Sequence, residues 1–322
     1  MAGQELHGNP DVFEVRVPVA TLWTEPDAPR DVDALAVLDD PDMSGWAAAM
    51  DAQARKGLYG RTLTQLLMGE AVRVVEERGD WVCVVALLQP SSGDDGGYPG
   101  WLRRAHLGAP VRRTLGASGF VITRSAVCQV EGGGKLELSF GTGLWLDSVE
   151  SDTAMVLLPD DRRAVISLEN VRLSHKKQQQ LYGPDDVLDT ARQFLGLRYL
   201  WGGTSSWGLD CSGLVHLTYR AHGVVVARDA FDQAALAEPV PLDEVSPGDL
   251  YFFARPGQRI YHVGFVTRRF GADGIRWMLH APESGEFIEE APLAPHRDET
   301  LVSAGRVRKP DAGQIARHPN DI

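Results

Sequence analysis

Residues 199–219 read YLWGGTSSWGLDCSGLVHLTY, and this stretch decides how the rest of the chain is interpreted. A loop rich in Gly and Trp leads to Asp210 and Cys211, and an apolar helical pattern begins at Leu214. The spacing places Cys211 at the N-terminus of a helix, where free N–H groups and the positive end of the helix dipole favour a thiolate. The thiolate is the reactive form of cysteine, so Cys211 is a candidate nucleophile. By residue type alone, a lone cysteine is more simply a small buried apolar residue.

Two downstream histidines are candidate partners for that sulfur. His262 opens the alternating run HVGFVT, and His280 ends the run WMLH; both runs are typical of β-strands. A cysteine at a helix start with histidines on neighbouring strands is an arrangement of nucleophile, base and orienting group. In it, His262 takes the thiol proton and His280 holds the imidazole of His262 in the productive tautomer. Without that pattern, each histidine is more simply a hydrogen-bonded core residue.

Four blocks occur in order, namely YxWGG, DCSGL, HVGF and a strand ending in HA, and together they resemble the NlpC/p60 cysteine peptidases. Those enzymes act on bacterial cell-wall peptides. The resemblance implies an α+β, papain-like catalytic domain over residues 183–322, with Cys211, His262 and His280 as its triad and no cofactor. The segment of residues 268–276 is longer than is usual in the family. A Cys-His-His zinc site is the competing interpretation of the same residues, and the absence of paired CxxC or HxxxH spacing argues against it.

The composition of the chain excludes some classes of binding partner and indicates where in the cell the protein is expected. The chain has 322 residues, 43% of them hydrophobic and 24% charged, and a net charge of -12. This charge argues against nucleic acid or an anionic membrane as a partner, and no apolar run approaches the ~20 residues needed to cross a bilayer. The first residues, MAGQELHGNPDVFEV, lack the basic region and apolar core of a secretory signal, so we expect a cytoplasmic protein. Three widely separated cysteines argue against a disulfide framework, which leaves Cys83 and Cys128 as core residues.

The part of the chain ahead of the catalytic domain is predicted to form two small β domains. The blocks GDW and GW, each followed by a strand, resemble bacterial SH3-like domains, and they place one SH3-like β-barrel in residues 1–110. An alanine-rich helix over residues 44–56, capped by Ser44, is an insertion in it. Residues 111–182 carry further short strands between glycine triplets and are predicted as a second SH3-like β-barrel. The polar run of residues 175–180 is predicted to be a linker.

This architecture, without a signal, resembles the γ-D-glutamyl-L-diamino acid endopeptidases of murein-peptide recycling, which require a free N-terminal L-Ala. In that subfamily the first SH3-like domain closes the cleft, and an acidic side chain and a tyrosine there hold the substrate ammonium group. The blocks TQLLMGE and YPGW match these positions and give Glu70 and Tyr98. A carboxylate in a narrow cleft is a strong partner for an ammonium group. Without the resemblance, Glu70 is an exposed strand charge and Tyr98 an aromatic of the barrel.

The same resemblance assigns substrate contacts near the nucleophile. Tyr199 is expected to stabilise the oxyanion together with backbone N–H groups at the helix start, although loop packing also explains it. Asp210 and Ser212 flank the nucleophile and match substrate contacts, and Asp210 is also the predicted N-cap of the helix. Asp229 matches a residue that contacts the L-Ala amine or nearby backbone, and Ala230 would contribute only its backbone.

The sequence therefore predicts a monomeric cysteine peptidase that hydrolyses the γ-D-glutamyl-L-diamino acid bond of murein peptides with a free N-terminal L-Ala. Both meso-diaminopimelate and L-Lys are candidate diamino acids. Two other interpretations stay open, a secreted hydrolase of intact peptidoglycan and a non-enzymatic scaffold that binds the wall through its SH3-like domains.

Overall fold

The computed structural model describes residues 11–110, 118–173, 182–271, 273–283 and 286–308. The predicted linker at residues 175–180 lies outside these ranges. No helix in the described part of the chain is long and apolar enough to span a bilayer.

The first seven strands form one antiparallel sheet in the order β3-β2-β6-β5-β4-β1-β7. Its elements are β1 (Val12–Val15), β2 (Val19–Trp23), α1 (Met43–Ala49), α2 (Ala52–Lys56), β3 (Thr62–Leu67), β4 (Ala71–Arg78), β5 (Trp81–Ala86), β6 (Tyr98–Arg103) and β7 (Leu107–Pro110). Alternate side chains pack into one cluster on a single face, among them Leu22, Val82 and Leu102, each fully buried. The strand β3 is an edge of this sheet, and it lies against the C-terminal part of the chain.

The insertion between β2 and β3 differs from the prediction. The single helix expected over residues 44–56 is two short helices, α1 and α2, because each begins at its own cap. The carboxylates of Asp42 and Asp51 each accept a hydrogen bond from the backbone N–H three residues later. Met50 between the two helices is extended and 1% exposed, so it leaves the helical path and enters the core. The predicted cap Ser44 lies inside α1.

The second sheet repeats the first strand for strand. Its strands are β8 (Gly119–Val121), β9 (Ser125–Val130), β10 (Lys135–Ser139), β11 (Gly143–Glu150), β12 (Thr153–Leu157), β13 (Arg163–Ser167) and β14 (Val171–Leu173). The order is β10-β9-β13-β12-β11-β8-β14, which is the first order with seven added to every strand number. The register also shifts at the equivalent place, between Val74 and Glu76 in β4 and between Leu146 and Ser148 in β11. The two sheets are therefore two copies of one strand topology.

The C-terminal part has mixed α and β content, as predicted. Its elements are α3 (Pro184–Arg192), β15 (Thr204–Ser205), β16 (Gly208–Leu209), α4 (Cys211–Ala221), α5 (Ala230–Leu236), β17 (Glu238–Val240), β18 (Leu250–Ala254), β19 (Ile260–Val266), β20 (Trp277–His280), β21 (Glu289–Pro292), α6 (Pro295–Asp298) and β22 (Leu301–Arg306). Six strands form an antiparallel sheet in the order β17-β22-β18-β19-β20-β21. Leu214 and Val215 on α4 pack in one buried cluster with Val263 and Phe265 on β19, so the helix lies against the middle of the sheet.

The first sheet and the C-terminal part share a core. Trp23, Trp46 and Leu58 belong to the same buried cluster as Leu214 on α4. Polar contacts follow the same boundary, since the hydroxyl of Thr62 donates to the carbonyl of Trp201 at 3.0 Å. The N-terminal sheet is therefore packed directly against the elements that carry Cys211.

Candidate active site

Cys211 is the first residue of α4, as the sequence predicts. The helix begins there because Asp210 caps it, with Oδ1 accepting a hydrogen bond from the Gly213 N–H at 2.6 Å. The apolar residues Leu214 and Val215 fix the following turn in the core. This local order places the Cys211 side chain against β19.

The charge state of the sulfur differs from the expected resting thiolate. Cys211 is 6% exposed. Burial, and after it the carboxylate of Asp210, raise the pKa of the thiol to about 12, although hydrogen bonds from the backbone N–H groups of Val263 and Ser212 lower it. Burial therefore favours a neutral thiol over the thiolate at this position.

The strands β19 and β20 bring the two predicted histidines together. The Nε2 of His262 lies 2.8 Å from the Nδ1 of His280, and the rings are nearly perpendicular at 75°. Burial and the nearby charges of His280 and Arg297 hold the pKa of His262 well below its usual value. Burial first, and then the Arg297 cation, lower the pKa of His280 to about 3. Both imidazoles are neutral near neutral pH, so His262 is able to accept a proton.

The hydrogen bond between the histidines couples their tautomers, because one of the two facing nitrogens must donate and the other must accept. If Nδ1 of His262 is to accept a proton, its own proton must sit on Nε2 and be donated to Nδ1 of His280. The proton of His280 is then on Nε2, which faces Oε1 of Glu289 at 3.5 Å. Strand pairing sets this contact, because His280 and Glu289 are register partners in β20 and β21. The pair can therefore orient His262 and stabilise its protonated form.

Four buried histidines predict that the protein is labile to acid. Burial is the largest cause that lowers the pKa of His106 to about 4, of His216 and His280 to about 3, and of His262 well below its usual value. Histidines in the unfolded chain have pKa values near 6.5 and bind protons at a pH where the buried histidines of the folded chain stay neutral. The contribution of these histidines to the unfolding free energy is therefore fully present above about pH 6.5 and falls as the pH drops. For each of these histidines, we expect the free energy of unfolding to fall by about 1 kcal/mol between about pH 7 and about pH 5.5, as measured by guanidinium unfolding.

The matched control for this acid effect is His296→Gln, because His296 is exposed. That variant should show the same loss of stability with pH as the parent protein. An unfolding free energy that stays constant over this pH range would contradict the neutral state of the buried histidines.

A second polar group lies where β6 meets the start of α5. The hydroxyl of Tyr98 donates to Oδ2 of Asp229 at 3.0 Å. Asp229 precedes α5, and its carboxylate makes no cap hydrogen bond to that helix. Burial is the main cause that raises the pKa of Asp229, and the charges of Asp210 and Asp232 act in the same direction. Against this shift, the Arg228 charge and the hydrogen bond from Tyr98 lower the pKa of this half-buried carboxylate, and they favour the ionised form that can bind a cation.

Glu70 does not join this pair. It is 2% exposed, and its Oε1 accepts hydrogen bonds from Arg220 near the end of α4 and from the backbone N–H of Leu67. The carboxylate is thus already neutralised by a buried guanidinium. These contacts give Glu70 a role in joining the first sheet to α4, and they do not favour the predicted contact with a substrate ammonium.

The Glu70→Gln variant tests that reading. Arg220 is 7% exposed at its side chain, so removing its partner leaves a buried unpaired charge. We expect the unfolding free energy to fall by about 3–5 kcal/mol in denaturant titration, while any preference for a free over an acetylated peptide stays the same. Glu76→Gln removes a matched pair with Arg78 on the same sheet, but both side chains there are more than half exposed, so its cost should be below about 1 kcal/mol. Loss of the amine preference in Glu70→Gln would restore the role predicted from the sequence.

The other predicted contacts surround Cys211. Tyr199 is 4% exposed, and burial raises its pKa far above the usual value, so the phenol stays protonated and able to donate. The hydroxyl of Ser212 donates to Oδ1 of Asp210 at 3.2 Å. Ala230 is the first residue of α5 and is 7% exposed.

Sequence reasoning missed Arg228. This residue is 1% exposed at its side chain and forms two hydrogen bonds with Asp210, from Nη1 to Oδ1 at 3.0 Å and from Nη2 to Oδ2 at 2.6 Å. The carboxylate beside the nucleophile is therefore neutralised within the protein and is not available to a substrate amine. The signal in the sequence is the arginine directly before Asp229.

No group of three or more His, Cys, Asp or Glu side chains with a metal-binding arrangement occurs among the residues that the structure describes.

Known proteins are similar to this chain in sequence and in fold. The profile of the NlpC/P60 family matches residues 196–306. The gamma-D-glutamyl-L-lysine dipeptidyl-peptidase of Bacillus subtilis (strain 168) is 36% identical over 277 residues, which cover 84% of this chain and 90% of that protein. The protein of the same name from Bacillus cereus (strain ATCC 10987) is 32% identical over 291 residues, covering 87% and 85%. The crystal structure of an NlpC/P60 family protein from Bacillus cereus ATCC 10987 superposes with a TM-score of 0.86 at 30% identity, over 92% of this chain and 99% of that one.

Proposed function

This chain belongs to the NlpC/P60 family, and from that premise we propose that it is a cysteine peptidase that hydrolyses the γ-D-glutamyl-L-diamino acid bond of murein peptides. The observation that carries the proposal is that Cys211, at the start of α4, accepts a hydrogen bond from the backbone N–H of Val263, the residue that follows His262 of the hydrogen-bonded histidine pair. The names of the two Bacillus relatives support this choice of the cleaved bond, since the matched residues cover most of the length of each relative.

In the proposed mechanism, the sulfur of Cys211 attacks the γ-carbonyl carbon of D-Glu while its proton passes to Nδ1 of His262. His280 accepts a hydrogen bond from Nε2 of His262 and so stabilises the imidazolium. Backbone N–H groups at the start of α4 and the Tyr199 hydroxyl stabilise the oxyanion. His262 then returns the proton to the leaving amine of the diamino acid. Water attacks the thioester with His262 as the base, which releases the γ-carboxylate and restores the thiol.

The free N-terminal amine of the substrate is proposed to bind Asp229 and Tyr98. Asp229 is half-buried and accepts a hydrogen bond from Tyr98, whereas the carboxylates of Asp210 and Glu70 are each paired with an arginine. An ammonium group at Asp229 would restore the ionisation that burial opposes. Ser212 and the backbone at Ala230 line the same region and are proposed as further substrate contacts.

The proposal extends to the domains and the setting. We propose residues 1–110 and 111–182 as SH3-like domains, the first of which closes the cleft, and residues 183–322 as the papain-like peptidase domain. The shared strand order of the two sheets supports the pairing of the first two. We also propose that the protein is a monomer that recycles murein peptides in the cytoplasm, a role that agrees with a substrate carrying a free N-terminal amine.

A direct assay tests the activity. The protein is incubated with L-Ala-γ-D-Glu-L-Lys and with the meso-diaminopimelate peptide, and products are identified by mass spectrometry. Release of L-Ala-γ-D-Glu is the expected result. Release of soluble fragments from intact sacculi, without cleavage of either free peptide, would favour a hydrolase of intact peptidoglycan instead.

A further inference from the structure

Both ends of α4 are held by buried arginine–carboxylate pairs. At its start, Arg228 binds the N-cap Asp210 through two hydrogen bonds. In its last turn, Arg220 pairs with Glu70 in the turn between β3 and β4. Each of these four side chains is at most 10% exposed, so water does not compete for their hydrogen bonds.

A chain of polar groups in the first sheet joins these two pairs. The Nε of Arg228 donates to the Thr64 hydroxyl at 2.7 Å, and this hydroxyl donates to Oε1 of Gln89 at 2.7 Å. The Nε2 of Gln89 donates to the backbone carbonyl of Gln65 at 2.7 Å and, at 3.5 Å, to Oε2 of Glu70. Every donor in the chain meets an acceptor, so the direction of each link is determined.

We propose that Thr64 and Gln89, which we call the relay, are positioning residues that hold the start of α4, and with it Cys211, in the reactive geometry. This inference rests on the proposed function, in which Cys211 is the nucleophile. Thr64 lies on β3 and Gln89 in the loop between β5 and β6, so neither belongs to the six-stranded sheet that carries His262 and His280. The first sheet would then contribute to the chemistry as well as to the wall of the cleft.

The physical link runs through Arg228. Its guanidinium lowers the pKa of the Cys211 thiol, whereas the Asp210 carboxylate raises it. The Thr64 hydroxyl is the acceptor for Arg228 Nε, so its loss leaves a buried donor unpaired and frees the guanidinium to move. A shift of Asp210 then changes the cap, and small displacements of a catalytic group have large effects on rate.

The test uses two variants. Thr64→Val keeps the shape of the side chain and removes its hydroxyl. Gln89→Met removes the amide, whose hydrogen bonds in the described structure all go to Thr64, Gln65 and Glu70. Thr64→Ser keeps the hydroxyl and should restore most of the lost activity. The matched control is Thr21→Val on the adjacent strand β2, since the Thr21 hydroxyl is buried and has no hydrogen-bond partner in the described residues. Near-ultraviolet circular dichroism selects a temperature at which each variant is folded.

Two readouts separate positioning from stability. We expect kcat for the free peptide to fall about tenfold in Thr64→Val and in Gln89→Met, with KM within about twofold. The rate of iodoacetamide alkylation at Cys211, followed by mass spectrometry at one fixed pH, should also fall. Equal or faster alkylation in the folded variants, or a kcat that matches that of Thr21→Val, would overturn the inference. The alkylation readout needs no peptide turnover, so failure of the relay can be told apart from failure of the proposed peptidase activity.

Discussion

The Cys211→Ala variant is expected to lose peptide hydrolysis, with kcat/KM reduced by at least about 10⁴-fold, because no other group can form the thioester. The sulfur is the atom that becomes acylated, and the histidine pair has no proton to accept without it. The side chain is 6% exposed and alanine fits within its volume, so the fold should survive. The measurement is the rate of L-Ala-γ-D-Glu release under single-turnover and steady-state conditions.

The control is Cys83→Ala, because Cys83 lies on β5 in the first sheet and is half-buried. That variant should keep full activity and lose the corresponding alkylation product. If Cys211→Ala hydrolyses the peptide at a rate within tenfold of the parent enzyme, Cys211 is not the nucleophile, and a mechanism in which the protein activates water directly would be favoured.

The elements that carry Cys211, His262 and His280 could be predicted because they depend on short-range patterns. A carboxylate before an apolar helical run places Cys211 at the start of α4, and alternation along two strands places His262 and His280. The blocks around these residues also carried the resemblance to the NlpC/P60 family. The strand topology of the second sheet was harder to predict, because strand spacing alone does not give the order of the strands.

The electrostatics of the site could not be predicted in the same way. Glu70 pairs with Arg220, which lies 150 residues further along the chain, and no local pattern encodes such a partner. The helix start favours a thiolate at Cys211, but burial acts in the opposite direction and is a property of the assembled fold. The long-range pairs of Glu70 with Arg220 and of Asp210 with Arg228 therefore leave Asp229 as the carboxylate that we propose to bind the substrate amine.

Acetylation of the substrate amine is expected to lower kcat/KM of the parent enzyme by about 100-fold, because it removes the charge that Asp229 binds. Asp229→Asn keeps the shape of the side chain and removes its charge. We expect this variant to cleave the free peptide about 100-fold less efficiently, and to cleave the free and acetylated peptides at similar rates. Tyr98→Phe should have a smaller effect in the same direction, since the Tyr98 hydroxyl donates to Asp229 and orients it.

The ratio of kcat/KM for free and acetylated peptide in each variant is the decisive measurement, because it cancels a general loss of activity. Asp232→Asn is the matched control, since Asp232 is a nearby carboxylate that is 6% exposed and accepts a hydrogen bond from the backbone N–H of Ser92, a bond that asparagine can keep. Its ratio should equal that of the parent enzyme. If Asp229→Asn keeps the ratio while Asp232→Asn or Glu70→Gln loses it, the amine site lies at that other carboxylate. Equal cleavage of both peptides by the parent enzyme would instead argue against recycling of free-amine peptides and for action on amide-linked cell-wall peptides.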